Sequence, residues 1–175
     1  YENLKTNKKT IICKNCENFF FDGINIVYAY KNTVTAVTTR NIHNAKSFDV
    51  EWNLIYYNVI NDKLYVTTRL DHDYISKHNF YILDIDTMTM LDFSCVSMSG
   101  APDDMIIYKG DFLFHHNESN AIFKVDFENS DLIKLLEHES IVDLATNGDK
   151  VYFVAEKTDW KLITYTVYAD TNGIW

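Results

Sequence analysis

Phe80-Tyr81-Ile82-Leu83-Asp84-Ile85-Asp86 and Ile122-Phe123-Lys124-Val125-Asp126-Phe127-Glu128 are two copies of one pattern, an aromatic and β-branched run that ends on an acidic residue. A third copy runs from Leu162 to Asp170 (Leu-Ile-Thr-Tyr-Thr-Val-Tyr-Ala-Asp). Aligned on Asp86, Glu128 and Asp170, the copies stand 42 residues apart both times. Residues of this kind favour a pleated, half-buried strand. Ahead of each copy lies a pair of short apolar segments joined by a two-residue polar turn. The pairs are Leu54–Tyr57 with Lys63–Val66, Met105–Tyr108 with Asp111–Phe114, and Ile141–Leu144 with Lys150–Phe153. Asn61-Asp62, Lys109-Gly110 and Gly148-Asp149 supply the turns, so each pair predicts a tight hairpin.

An earlier pair, Ile24–Tyr28 and Val34–Arg40, turns at Lys31-Asn32, and its string Val37-Thr38-Thr39-Arg40 recurs as Val66-Thr67-Thr68-Arg69. Fourth segments follow the first two copies, at Met90–Phe93 and Leu132–Leu136. Four short strands in about 42 residues is the size of a β-propeller blade. The expected architecture is all-β, with one propeller domain over 1–175 and four-stranded blades near 19–52, 53–97, 101–137 and 141–175. Residues 3–14 are expected to complete the last blade as an outer strand, which would cover an open edge. A closed four-bladed ring and a piece of a larger propeller both fit this pattern. A two-sheet β-sandwich is the alternative.

Ala121–Phe127, Asn147–Phe153 and Asn61–Val66 resemble bacterial β-propeller repeats of unknown function similar to the propeller of the LDL-receptor-related proteins. The shared pattern is a turn, a short aromatic strand, then a strand ending in an acidic turn, and it covers about residues 53–170. The resemblance implies a fold and carries no catalytic residue. The Tyr-Trp-Thr-Asp string of the receptor propellers, Trp-Asp dipeptides and kelch glycine signatures are absent.

Aromatic residues make up 15% of the chain, whereas Gly numbers 5 and Pro 1, so collagen-like and low-complexity classes are excluded. No apolar run reaches the ~18–20 residues of a membrane-spanning helix. A formal charge of −9 disfavours nucleic-acid binding, which needs a basic footprint. Lys5, Lys8, Lys9 and Lys14 are a local exception, read as guards on an exposed strand edge. The first residue, Tyr1, follows neither an initiator Met nor a signal-like segment, which suggests a processed product or a piece of something longer.

Three cysteines cannot all pair. Cys13 and Cys16 form a C-x-x-C that is read as a redox pair, half a zinc site or two unrelated thiols. No second such knuckle exists, and Asn18–Phe21 reads as a strand rather than the helix of a thioredoxin-like motif. Cys95 reads as a small apolar packing residue. Asn117-Glu118-Ser119 is a lone glycosylation sequon, and an extracellular or cell-surface setting is favoured over a cytoplasmic one.

Nucleophile elbows, glycine-rich phosphate loops and His-Glu-x-x-His are all absent. Candidate chemistry therefore rests on loops. In a propeller, connections from second to third strand share one end with connections between blades. The expected second-to-third connections are 41–45, 70–79, 115–120 and 157–160, with inter-blade loops near 97–104 and 137–140. That places His43, His72, His78, His115, His116 and His138 at one end, together with Asp71, Asp73, Asp103, Asp104, Glu118 and Trp160. The expected function is a binding or scaffold module for a protein or glycan, with Trp160, His72, His78, Asp103, Asp104, His115, His116 and Glu118 as contacts and no cofactor. A metal-dependent hydrolase or lyase using His115, His116 and Asp71 is the alternative, as is a structural segment of a larger surface or secreted protein. Several histidines among carboxylates would also gain protons near pH 6. The recurrence of Asp84-Ile85-Asp86 as Asp126 and Glu128 points to a turn role for these carboxylates rather than catalysis.

Overall fold

The computed structural model describes residues 2–3, 8–9, 12–14, 16, 18–21, 23–71, 75–159 and 162–169. These residues are strands and their connections, with one 3-10 turn and no helix long and apolar enough to cross a membrane. Glu2–Asn3 (β1) pairs with Lys8–Lys9 (β2) in a small sheet. Four antiparallel sheets follow, each a meander in chain order. The first holds β3 (Asn18–Phe21), β4 (Asn25–Tyr30), β5 (Thr33–Thr38) and β6 (Asn41–Asp49). In the second are β7 (Asn53–Ile60), β8 (Lys63–Leu70), β9 (Ser76–Asp84) and β10 (Met90–Met98). β11 (Met105–Tyr108), β12 (Asp111–His116), β13 (Ala121–Asp126) and β14 (Asp131–Glu137) build the third. The fourth has β15 (Ile141–Thr146), β16 (Val151–Asp159) and β17 (Leu162–Ala169).

The chain is thus all-β and built of propeller blades. Strand order never crosses from one sheet to another, which sets aside the two-sheet sandwich. Half of 3–14, the segment expected to complete the fourth sheet, lies outside the described residues, and its described strand residues Asn3, Lys8 and Lys9 belong to the β1–β2 pair.

Turn chemistry fixes the hairpins. Asn61 and Asp62 have φ of 51° and 60°, and Lys109 and Gly110 have 51° and 90°. Two successive positive φ values are the signature of the tight turn whose twist matches that of paired strands. Only glycine adopts such angles freely, and other residues are strained by about 1–2 kcal/mol. Asp62→Gly should therefore raise stability by about 0.5–1 kcal/mol, measured by urea denaturation, because the Asp62 carbonyl that accepts the Ile85 N–H survives the change.

The acidic ends of the repeated strands are turn caps. Asp84 Oδ1 accepts the Thr87 N–H (2.7 Å) and hydroxyl (2.7 Å). Forty-two positions later, Asp126 Oδ1 accepts the N–H groups of Glu128 (3.0 Å) and Asn129 (3.2 Å). The bonds from Thr87 and Asn129 hold these two exposed carboxyls below their ordinary range. Their role is structural.

Backbone bonds identify the strand roles in the first three sheets. The Val50 N–H donates to Asn32, and the His138 N–H to Asn120, so second-to-third connections sit beside inter-sheet ones. At the opposite end the Thr39 N–H donates to Ile24 and the Ile85 N–H to Asp62. This corrects the expected layout of the first sheet. Phe19–Phe21 belongs to its first strand, Lys31-Asn32 joins its second to its third, and 41–45 is strand rather than loop. Consequently His43 lies exposed on β6, near the end of its own sheet where β5 turns into β6.

Two compact units divide the chain, 1–68 with 82–91, and 69–81 with 92–175. The first buries Val27, Val34, Val37, Leu64, Val66 and Leu83. In the second, Phe80, Phe112 and Phe114 are fully buried, with ring centroids 5.3 Å apart for Phe80–Phe112 and 6.1 Å for Phe80–Phe114. The other face of β12 joins a second cluster, in which Leu113 and Tyr108 pack with Ile141, Leu144 and Phe153. Tyr108 ends in a hydroxyl that donates to the Asp149 carbonyl (2.9 Å), so the ring is buried without an orphaned polar tip.

Candidate functional site

The site is the end of the second unit where second-to-third connections meet inter-sheet loops. β12 brings His115 and His116 there as its last residues, and β9 brings His78 near its start. Side chains alternate along a strand. His116 follows the parity of Phe112 and Phe114, and its ring lies 6.1 Å edge-on from Phe123. His115 follows Leu113 toward the opposite face.

Both nitrogens of His116 are committed. Nε2 donates to the Ser99 carbonyl (2.5 Å), which leaves Nδ1 to accept from the Ser119 hydroxyl (2.8 Å). His78 Nε2 donates to the Gly100 carbonyl (3.3 Å). The main chain adds Asp103 N–H to the His115 carbonyl (2.9 Å) and His115 N–H to Asp104 (3.4 Å). Loop 99–104 is therefore laced to β9 and β12 by three histidines. Gly100, at φ +67°, lets it pass close to Glu118, since a Cβ there would lie 3.1 Å from the carboxylate Oε1.

Burial disfavours the charged form of His78 and His115. His78 is fully buried and pushed down to about 4, mainly by desolvation, with Arg69 and His116 adding to it against the Gly100 carbonyl and Asp71. His115 is also lowered by burial, despite Asp103 and Asp104. The expectation that these histidines gain protons near pH 6 is corrected for His78 and His115: desolvation outweighs the nearby carboxylates. Asp104 is raised, by burial first and then by Asp143 and Asp103.

The expected site residues fall into three groups. His78, His115 and His116 are the buried frame, whereas Asp71, Asp103, Asp104 and Glu118 are exposed around it. His72 and Trp160 lie outside the described residues. For the metal set, His115 and His116 point to opposite faces of one strand, and Asp71 is engaged by Arg69 and the Ser76 hydroxyl. Among the described residues, no group of three or more His, Cys, Asp or Glu side chains is arranged to hold a metal ion.

The expected connections 115–120 and 137–140 meet in a groove of about 520 Å³ lined by Ser119, Asn120, Glu137, His138 and Glu139, of which only His138 was singled out by sequence. It lies where the 3-10 turn Asn117–Ser119 meets the connection after β14. Asn120 holds the turn with φ 47°, and its carbonyl accepts the His138 N–H (3.0 Å).

No protein-family profile matches the sequence, and no curated protein does. Solved structures do. A protein of unknown function from Bacteroides caccae superposes with a TM-score of 0.53 at 9% identity, over 86% of this chain and 56% of that one. BamB from Moraxella catarrhalis gives 0.49 at 12% identity, over 79% and 42%. The uncharacterised protein lmo1340 from Listeria monocytogenes EGD-e gives 0.48 at 12%, over 78% and 43%. The chain spans about half the length of these structures. At such identities the likeness concerns fold alone.

Proposed function

We propose that this chain is a binding module, recognising a protein or glycan through the loop end of its second unit. The observation that carries the reading is the groove at Ser119, Asn120, Glu137, His138 and Glu139, continuous in sequence with the exposed residues Asn117 and Glu118. Hydroxyl, amide, imidazole and carboxylate groups converge there, a set suited to hydrogen-bonding a polar ligand. Asp103 and Asp104 extend the acidic rim on a loop held by the buried histidines. Contacts fixed on a braced loop cost less entropy to present than contacts on a loose one. Trp160 and His72 belong to this proposal as candidate contacts.

Glu139→Arg and Asp104→Arg test it. Wild-type protein is passed over immobilised glycans and a peptide library, and whatever it retains is titrated against both variants. Affinity should fall at least about tenfold for one or both, since reversing a charge beside a bound polar group places repulsion in the interface. Unchanged affinity in both variants for every retained ligand would refute the assignment of this face.

A further inference from the structure

The turn between β15 and β16 carries a chemistry that neither the packing nor the binding described so far uses. It is built on Asn147-Gly148. Asparagine loses its side-chain amide most easily before glycine, which has no Cβ to shield its main-chain nitrogen. Asn147, Gly148, Asp149 and Lys150 are all exposed. Gly148 stands at φ +92°, and a Cβ there would meet nothing within 4 Å. Water and base therefore reach both reacting groups.

Hydrogen bonds nevertheless hold each of those groups. The Gly148 N–H donates to Thr146 Oγ1 (3.0 Å), and that hydroxyl donates its own hydrogen to the Lys150 carbonyl (2.8 Å). The threonine oxygen thus accepts a hydrogen bond from the nucleophile without being a base that could take its proton. Asn147 Oδ1 accepts the N–H groups of Asp149 (3.0 Å) and Lys150 (2.9 Å), and Nδ2 donates to the Tyr152 hydroxyl (3.2 Å). The same turn carries the Asp149 carbonyl that takes the Tyr108 hydroxyl (2.9 Å), so its path also supports a buried ring.

We propose that Asn147 is a latched deamidation site, kept intact by the native turn and converted by water once that turn opens. The Gly148 nitrogen, stripped of its proton, attacks Cγ of Asn147 and forms a five-membered imide. The Cγ–Nδ2 bond breaks, and the nitrogen leaves as ammonia, taking up a proton in place of the one lost. Water then opens the imide at either carbonyl, leaving aspartate or isoaspartate at position 147. The two N–H groups on Oδ1 polarise the amide and would assist the attack, so they are not the latch. The latch is the Thr146 hydroxyl, which ties down the nucleophile, with Tyr152 holding the leaving group. Isoaspartate adds a methylene to the main chain of the turn and removes the amide that reaches Tyr152. Local opening of the hairpin end is thereby written into the chain as a permanent mark.

The test incubates the full chain at neutral pH for several weeks, native and in guanidinium chloride, and counts conversion at Asn147. Proteolysis and mass measurement separate its peptide from that of Asn172-Gly173, the other Asn-Gly pair in the sequence. In native wild type, conversion should be at least about tenfold slower than in the denatured chain. Thr146→Val, nearly the same shape without the hydroxyl, should speed the native rate about fivefold and leave the denatured rate unchanged. Tyr152→Phe should also speed the native rate, which keeps the test open if the valine variant folds poorly. Thr146→Ser, which restores the hydroxyl, should stay at the wild-type rate. Equal native and denatured rates in wild type would overturn the proposal. So would wild-type native rates in both Thr146→Val and Tyr152→Phe, or a Thr146→Ser rate as fast as that of Thr146→Val.

Discussion

Phe114→Ala lowers the unfolding free energy by about 3–5 kcal/mol, the range for truncating a buried aromatic ring in a packed core. Phe114 is fully buried on β12, stacked on Phe80 at 6.1 Å and on Phe123 at 5.9 Å. Its removal leaves Phe80 and Phe123 without a shared partner and opens a void that flanking strands cannot close without breaking their pairing. Leu at this position should recover more than half of the loss, since it refills volume but not the ring contacts. Guanidinium denaturation of wild type, Phe114→Ala and Phe114→Leu measures this directly. A loss below about 1 kcal/mol for the alanine variant would mean that the ring cluster is not the core of the second unit.

The second large effect is a pH dependence centred on His78. Its folded-state value of about 4 lies below the ordinary 6.5, so below pH 6.5 the unfolded chain binds a proton that the folded chain refuses. Stability from this group is fully present above pH 6.5 and is lost as pH falls toward 4. The gap corresponds to about 3 kcal/mol. Gly100, Arg69, Asp71 and His116 are the groups that face it. His78→Gln retains a donor for the Gly100 carbonyl but does not titrate. The stability difference between wild type and His78→Gln, from urea denaturation at pH 7.5, 6, 5 and 4, should therefore shift by about 3 kcal/mol in favour of the variant. A difference that does not change with pH would refute the buried, neutral state of this ring.

The blade pattern was legible because local chemistry writes it. Turn residues at Asn61-Asp62, Lys109-Gly110 and Gly148-Asp149 and acidic strand ends at Asp84 and Asp126 act within a few positions of themselves. The first sheet was harder for a physical reason. Its third strand turns into its fourth at Thr39-Arg40, with no Gly, Pro, Asn or Asp to mark the break. The repeated string Val-Thr-Thr-Arg also misled the alignment, since it starts in a third strand at Val37 and lies within a second strand at Val66. Loop polarity pointed to the connections beside which His78, His115 and His116 lie, but not to the state of those residues. His78 and His116 are held by carbonyls 22 and 17 positions away, and such partners have no signature in sequence. Ser119, Asn120, Glu137 and Glu139, which line the groove with His138, were not singled out, because polar loop residues carry no mark in sequence of which of them will face one another.

The bonds that brace the connections have a bearing on how this surface can change. Asn32 with Val50, Asn120 with His138, and Asp103 with His115 are joined main chain to main chain. Such bonds persist whatever side chain the position carries, proline donors aside. The scaffold thus separates holding a loop in place from deciding what the loop displays. Side chains at Asp103, Asp104, Glu118 and Glu139 can drift or be replaced wholesale while the path of the loop is kept. A designer would start there, treating the ends of the sheets as interchangeable cassettes on an unchanged frame.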